Sequence, residues 1–320
     1  MALPKSERGA MPTRLNIVRL ARVFNMFNRV GIAPRVLHGN SSIGLTMLVW
    51  LAVKLGQISP WCKRTLWRRW YQYLAGQKLT DWRFMNYGFT PLNESELREL
   101  EKEDEADRYA IQLYDHVAGA VPLEGRDVLE VGSGRGGGSS FISRYHKPKH
   151  MTGVDYSAKV VSFCKENHSV DGLSFEHGDA ERLPFDDESF DVVVNVESSH
   201  CYGSVPNFLK EVRRVLRSNG HFVFADLRGQ NETEGLHKQL VDSQMEVLEQ
   251  EDITANVLEA LRLDSERKTA MIERLVSKRL IGTFRRFAAV EGSDVYNAFR
   301  DGAMVYLRYV LQKNGCHQQR

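Results

Sequence analysis

The stretch that most constrains this chain is Asp127-Val128-Leu129-Glu130-Val131-Gly132-Ser133-Gly134-Arg135-Gly136-Gly137-Gly138-Ser139. Val128, Leu129 and Val131 are the apolar, partly β-branched residues that a parallel strand buries. Glu130 sets an acidic group near that strand's end. Gly132, Gly134 and Gly136 allow a tight turn with no Cβ between backbone and ligand. A helix opening at about residue 137 then presents free N–H groups and a positive dipole end to the turn. The combination is a cradle for a nucleotide-like ligand. Gly132, Gly134 and Gly137 also satisfy the G-x-G-x-x-G dinucleotide pattern, so the glycines alone do not name that ligand.

Downstream, apolar runs and helical periodicities alternate. The spacing predicts strands over 150–154 (ending on Asp155), 173–177, 190–196 and 221–227, with helices over 137–145, 158–167 and 205–216. This is the pattern of a doubly wound, mostly parallel α/β sheet. A polar helical excursion is expected over 233–278, then two last strands over 287–292 and 304–313. Upstream, residues 92–108 carry Glu94, Glu96, Glu99, Glu101, Glu103, Asp104, Glu105 and Asp107. They are expected to form an acid-rich helix whose charges face solvent. Periodic residues over 109–121 follow and stop before Pro122. The domain carrying the glycine turn is therefore expected over 92–320, with an extension over 1–91.

Charge divides the chain at nearly the same place. Residues 1–84 hold 14 Lys/Arg against Glu7 and Asp81, a net of +12, while residues 85–320 hold 29 Lys/Arg against 39 Asp/Glu, a net of −10. That asymmetry implies an anionic partner for the first quarter, membrane surface before nucleic acid, or attraction between the two parts of one monomer. Residues 13–30 have the period of a basic amphipathic helix. The apolar run 43–58 holds Lys54 and is shorter than the roughly 20 residues that span a bilayer. Trp61–Tyr73 interleaves aromatics with Lys/Arg, as an interfacial anchor does and as one core face of a helix does. Peripheral membrane contact through 13–74, a cap over a pocket and a homo-oligomer all stay open; no nucleic-acid module accompanies the basic patch. Cys62, Cys164, Cys201 and Cys316 form no C-x-x-C, which suits a reducing, cytoplasmic setting without a disulfide framework. No signal peptide and no cluster of metal ligands stands out.

Four features fall at the carboxyl ends of successive strands, where open α/β sheets bind ligands. They are Glu130 with its glycine turn, Asp155, Asp179, and Asn195 to Tyr202. Together VLEVGSGRGG (128–137), TGVDYS (152–157), GDAERLPFDDESFDVVVNVES (178–198) and VRRVLRSNGHFVFAD (212–226) resemble class I S-adenosylmethionine-dependent methyltransferases of the type 11 group. The resemblance implies a seven-stranded Rossmann-like sheet with an antiparallel C-terminal strand. It implies S-adenosylmethionine as cofactor, leaving as S-adenosylhomocysteine. It sets Glu130, Gly132, Gly134 and Gly136 at the methionine moiety and Asp155 on the ribose hydroxyls. Tyr156 falls beside the base, Asp179 and Ala180 on the adenine, Asn195 in the same crevice, and Tyr87 in a segment (85–89) folding over the cofactor.

Two shorter stretches narrow the resemblance. VESSHCY (196–202) and FADLR (224–228) are similar to phthiotriolone and phenolphthiotriolone dimycocerosate O-methyltransferases and to sugar O-methyltransferases of the rebeccamycin type. This implies in-line methyl transfer to a hydroxyl of a lipid-, polyketide- or phenol-like molecule. His200 is then the first candidate base, with an unperturbed pKa near 6.5. Asp226 is the second candidate, acting alone or orienting the acceptor, and Glu197 is a candidate orienter of His200. The apolar 43–74 region suggests a lipophilic acceptor. The rival readings are a carbon or nitrogen acceptor of quinone, tocopherol or sterol type, a membrane-associated lipid- or cofactor-binding protein without turnover, and a nicotinamide-dependent reductase.

Overall fold

In a computed structural model of the chain, residues 82–93, 97–276, 278 and 281–315 are described. The expected elements over 13–30, 43–58 and 61–73 lie outside the described residues, as does most of the 1–91 extension. No helix among the described residues is long and apolar enough to cross a membrane.

The apolar runs form strands where the sequence places them: β1 (Asp127–Val131), β2 (His150–Asp155), β3 (Leu173–His177), β4 (Phe190–Val196) and β5 (Leu216–Gly229). The helices between them are α2 (Gly137–His146), α3 (Ala158–Asn167) and α4 (Val205–Val215); α1 (Arg108–Ala118) precedes β1. Helix α4 starts where Ser204 Oγ accepts the Asn207 N–H at 3.3 Å, with a proline in its first turn. After β5 come α5 (Thr233–Asp242), β6 (Met245–Asp252), α6 (Thr254–Leu263), α7 (Ser265–Leu275), α8 (Ile281–Phe287), α9 (Asp294–Arg300) and β7 (Met304–Lys313). The seven strands lie in the order β3-β2-β1-β4-β5-β7-β6. The first five run parallel, and β7 pairs antiparallel with both β5 and β6. Strand order reverses between β1 and β4, so the crevice above their carboxyl ends is where such a sheet binds ligands.

Alternation along the central strands builds two apolar layers. Val192, Val194 and Val196 join Val223 and Ala225 on one face, with α1, α6 and α9. Val193, Phe222 and Phe224 join Phe208 and Leu209 of α4 on the other. Each fully buried side chain of this size contributes on the order of 1.5–3 kcal/mol of transfer free energy. Residues 82–91 belong to the first layer, where Phe84, Tyr87 and Phe89 are buried.

Three expectations are corrected. Met245–Asp252 is a strand inside the expected helical excursion. Its Glu, Gln, Leu and Met residues favour helix, but pairing with β7 decides, with Met245 opposite Lys313 and Asp252 opposite Leu307. Tertiary pairing overrides local preference at this sheet edge. Phe287–Gly292, expected as a strand, is the end of α8 and a turn. Ala289 takes φ +49 while Ala288 and Ala289 N–H groups still bond back to Phe284 and Arg286, a left-handed helix terminus. Finally, the described part of 92–108 holds only a 3-10 turn, Glu105–Asp107. Its acids are not all solvated: Asp104 and Asp107 are 1% and 6% exposed. Asp104 takes Arg83 at 3.0 Å and Arg144 at 2.6 Å, and Asp107 takes Arg83 at 2.9 Å.

Candidate active site

A cavity opens at the strand-order reversal, with about 1240 Å³ of empty space including its mouth. The glycine loop after β1 forms its floor. Gly134 has φ +51, and the position its missing Cβ would take faces open space. Gly132 has φ +79, and there a Cβ would fall 1.9 Å from Ser198 Oγ, so the loop after β4 packs directly on this residue. Gly136, at φ +80, backs onto His168 and Phe175 instead of the cavity. Glu130 lies beneath the loop, fully buried, accepting the Tyr114 hydroxyl at 2.6 Å and the Ser139 hydroxyl. Burial raises its pKa to about 7, against the lowering effect of those hydrogen bonds.

The ends of β2 and β3 make a second wall. Asp155 Oδ2 accepts the Gly134 N–H at 3.1 Å and Oδ1 accepts the Ser157 N–H at 2.8 Å, which ties the two loops together. Burial raises Asp155 to about 6 in spite of those two bonds. Tyr156 lines the cavity and stacks on His177, ring centroids 6.5 Å apart. Asp179 and Ala180 line it too, Asp179 Oδ1 accepting the Glu181 N–H at 3.0 Å in a tight turn.

The third wall comes from the segments after β4 and β5. Asn195 Nδ2 donates to Val131 O at 2.7 Å and to the Tyr202 hydroxyl at 3.0 Å, and that hydroxyl lies 2.7 Å from Ser198 Oγ. Asn195 therefore braces β4 against the end of β1 from behind the cavity. His200 sits in the 3-10 turn Ser199–Cys201 and lines the cavity. Its Nδ1 is 2.7 Å from Asp226 Oδ1, and its N–H donates to Asp226 Oδ2 at 2.9 Å. Asp226 is fully buried and also accepts the Ser199 hydroxyl at 2.7 Å and the Leu227 N–H at 2.8 Å, with Arg228 at 3.1 Å. Burial works against its charge, but His200 and Arg228 hold its pKa below the usual carboxylate range. Burial likewise would lower His200, yet the adjacent Cys201 and the Asp226 carboxylate outweigh it and raise the imidazole. Glu197 is engaged elsewhere than His200: its Oε1 accepts the Tyr87 N–H at 2.7 Å and the Tyr306 hydroxyl at 3.0 Å.

Of the residues expected from sequence, Tyr87, Gly132, Gly134, Asp155, Tyr156, Asp179, Ala180 and His200 meet at one cavity. Glu130, Gly136, Asn195 and Asp226 stand one layer back. Sequence reading gives Tyr114 and Tyr306 no role, and Ser198 and Tyr202 none beyond their place in the 195–202 stretch; Tyr306 reaches Glu197 from 109 residues away, which leaves no local pattern. Ser133 Oγ and Ser157 Oγ are buried on the cavity wall without a hydrogen-bond partner among the described residues. Those polar atoms, the open space over Gly134 and two acidic strand ends fit a nucleoside-bearing ligand.

Comparison with known proteins names the family. A methyltransferase domain matches residues 129–224. The chain is 37% identical over 252 residues to the phthiotriol/phenolphthiotriol dimycocerosates methyltransferase of Mycobacterium leprae, covering 78% of this chain and 93% of that one. It is 35% identical over 237 residues to a fatty-acid O-methyltransferase of Mycolicibacterium smegmatis, covering 72% and 83%. Its fold is similar to geranyl diphosphate C-methyltransferase from Streptomyces coelicolor, solved with S-adenosylhomocysteine, at a TM-score of 0.54 and 17% identity over 76% of this chain and 97% of that one. The chain belongs to the S-adenosylmethionine-dependent methyltransferases, in the family that includes the phthiotriol/phenolphthiotriol dimycocerosates methyltransferases.

Proposed function

We propose that the chain methylates a hydroxyl oxygen of a lipophilic small molecule, with His200 taking the proton and Asp226 holding His200. The observation that carries this reading is the His200–Asp226 contact of 2.7 Å at the wall of the cavity. S-adenosylmethionine, when bound, supplies a methyl group already activated on a sulfonium. The chain's own work is then to align the acceptor and remove its proton. Asp155 would hold the ribose hydroxyls, Asp179 and Ala180 the adenine, and Tyr156 would flank the base. The loop from Gly132 to Gly134 would lie along the methionine part, with Tyr87 covering it. Ser133 and Ser157 supply two further hydroxyls on that wall. Relatives named for phthiotriols and for fatty acids both act on long, apolar molecules, which supports the same class of acceptor here.

The raised imidazole pKa favours one second reading. An imidazolium beside the cavity would attract a carboxylate acceptor, which is already deprotonated and needs no base. The fatty-acid relative supports that variant. The test is transfer of a deuterated methyl from S-adenosylmethionine to a long-chain alcohol, an alkylphenol, a fatty acid and an alkylamine, each dispersed in detergent. Mass spectrometry then identifies the labelled atom. An ether product carries the proposal, an ester carries the second reading, and label on carbon or nitrogen removes both. Residues 13–74 as a membrane contact or cap belong to the same proposal, because a lipophilic acceptor must be drawn from an apolar phase; of the 1–91 extension, residues 82–91 pack into the core of the domain itself.

A further inference from the structure

Residues 82–89 run as an extended strap between two cavities. Met85, Asn86 and Tyr87 line the one described above, and they also line a smaller, mostly apolar one between the strap and helices α7 and α8. The strap is bound at its ends by ordinary contacts: Arg83 on Asp104 and Asp107, and the Phe89 N–H on Tyr109 O at 2.9 Å. Its middle is held differently. The Tyr87 N–H donates to Glu197 Oε1 at 2.7 Å, and the Tyr87 carbonyl accepts Lys268 Nζ at 3.1 Å. The two peptide groups flanking Tyr87 are thus held on one side by a carboxylate from the end of β4 and on the other by an ammonium from α7.

Both jaws carry the marks of a position kept at a cost. Glu197 is a non-glycine residue at φ +46, a conformation that persists where the surroundings impose it and that concentrates at functional sites. The Tyr306 hydroxyl fixes its carboxylate from β7 at 3.0 Å. Lys268 is only 7% exposed, with Asp264 at 3.6 Å. Burial raises Glu197 to about 7, so above neutrality its carboxylate is ionised, and a hydrogen bond to a charged acceptor is stronger than one between neutral groups. With the Lys268 contact and the Asn86 Nδ2 bond to Ala110 O at 3.1 Å it holds the middle of the strap through side chains, with no strand ladder to unzip.

We propose that Glu197 is a positioning residue that latches the 83–89 strap over the cofactor cavity through the Tyr87 N–H, with Lys268 on the Tyr87 carbonyl as the opposing jaw. The latch sets how long the cofactor product stays bound. It rests on the assignment of that cavity to S-adenosylmethionine made above. Glu197 itself moves no proton and touches no reacting atom in this role.

The test combines amide hydrogen exchange across residues 83–89 in the ligand-free full chain with the dissociation rate of S-adenosylhomocysteine. Glu197→Ala removes the acceptor. Glu197→Asp keeps the charge but falls a methylene short of the Tyr87 N–H. Both should raise Tyr87 exchange and product dissociation roughly tenfold or more, the scale of losing a hydrogen bond to a charged acceptor. Glu197→Gln, whose amide oxygen still accepts, should stay within about threefold of wild type, the difference between a charged and a neutral acceptor. Unchanged Tyr87 exchange in Glu197→Asp overturns the latch, and so does a Glu197→Gln protein as loose as Glu197→Asp. Should the alanine variant not fold, the Asp and Gln pair decides alone. A wild-type protein that binds no S-adenosylhomocysteine overturns the cavity assignment instead, and the exchange data then still judge the latch.

Discussion

His200 Nδ1 lies 2.7 Å from Asp226 Oδ1, and Asp226 stands fully buried behind it. With Nδ1–H donated to the carboxylate, Nε2 is the ring nitrogen to which the proposed base role falls. Asp226 does not line the cavity. In the proposed mechanism it therefore acts through His200, as a positioning residue.

The pH dependence of kcat/KM tests that pair. The imidazole is raised above its ordinary value and must be neutral to accept a proton. Activity on an alcohol should therefore climb with pH through neutrality and on through the alkaline range, towards an inflection at about 10. Asp226→Asn removes the raising carboxylate, so the inflection should move down while the plateau rate falls about 10²- to 10⁴-fold. A profile flat from about pH 6 to 9, the span in which a histidine base titrates, would remove His200 from the proton-transfer step. A carboxylate acceptor would show the reverse slope, since the imidazolium is then the useful form.

Cofactor affinity should depend on pH through a different group. Asp155 is raised to about 6 by burial, and only its ionised form accepts two hydroxyl hydrogen bonds at full strength. S-adenosylhomocysteine binding measured by calorimetry should weaken as pH falls below about 6. In Asp155→Asn the affinity is lower and this dependence is gone. Wild-type affinity that is constant between pH 5 and 7.5 would contradict the role given to Asp155.

Two glycines in one loop should respond to alanine by different amounts. At Gly134 the added methyl meets nothing within 4 Å. Gly134→Ala should fold, lose about 1–2 kcal/mol for its left-handed backbone, and lose cofactor affinity because the methyl enters the cavity. At Gly132 the methyl would lie 1.9 Å from Ser198 Oγ and 2.7 Å from Ser198 Cβ. Gly132→Ala should cost about 3 kcal/mol or more in stability, overpacking and strain adding together. Thermal melts and calorimetry on both variants check this, and equal stability losses would show that the cavity over Gly134 is closed.

The sheet's parallel half was legible because β1 and β4 are apolar runs buried on both faces and bounded by turn residues, and β2 ends on an acid at the usual spacing. The C-terminal half was less so. Strand β6 is half-solvated, rich in glutamate, and made a strand by β7, which lies about 60 residues away in sequence. Phe287–Gly292 has strand-like residues but follows α8 into a left-handed turn at Ala289. At the site, acids and glycines at strand ends could be read from position alone. The tyrosines that hold them could not, nor could the burial of Asp104 and Asp107 within an acidic run. Those depend on which distant arginine or strand arrives, and sequence spacing does not encode that.

The most direct measurement is methyl transfer by His200→Ala to a long-chain alcohol, with S-adenosylhomocysteine affinity determined on the same preparation. If His200 serves the acceptor, transfer falls at least about 100-fold while affinity stays within about threefold, since His200 makes none of the proposed cofactor contacts. Transfer at the wild-type rate, or a loss matched by an equal loss of cofactor affinity, would contradict His200 as the base of an O-methyltransferase.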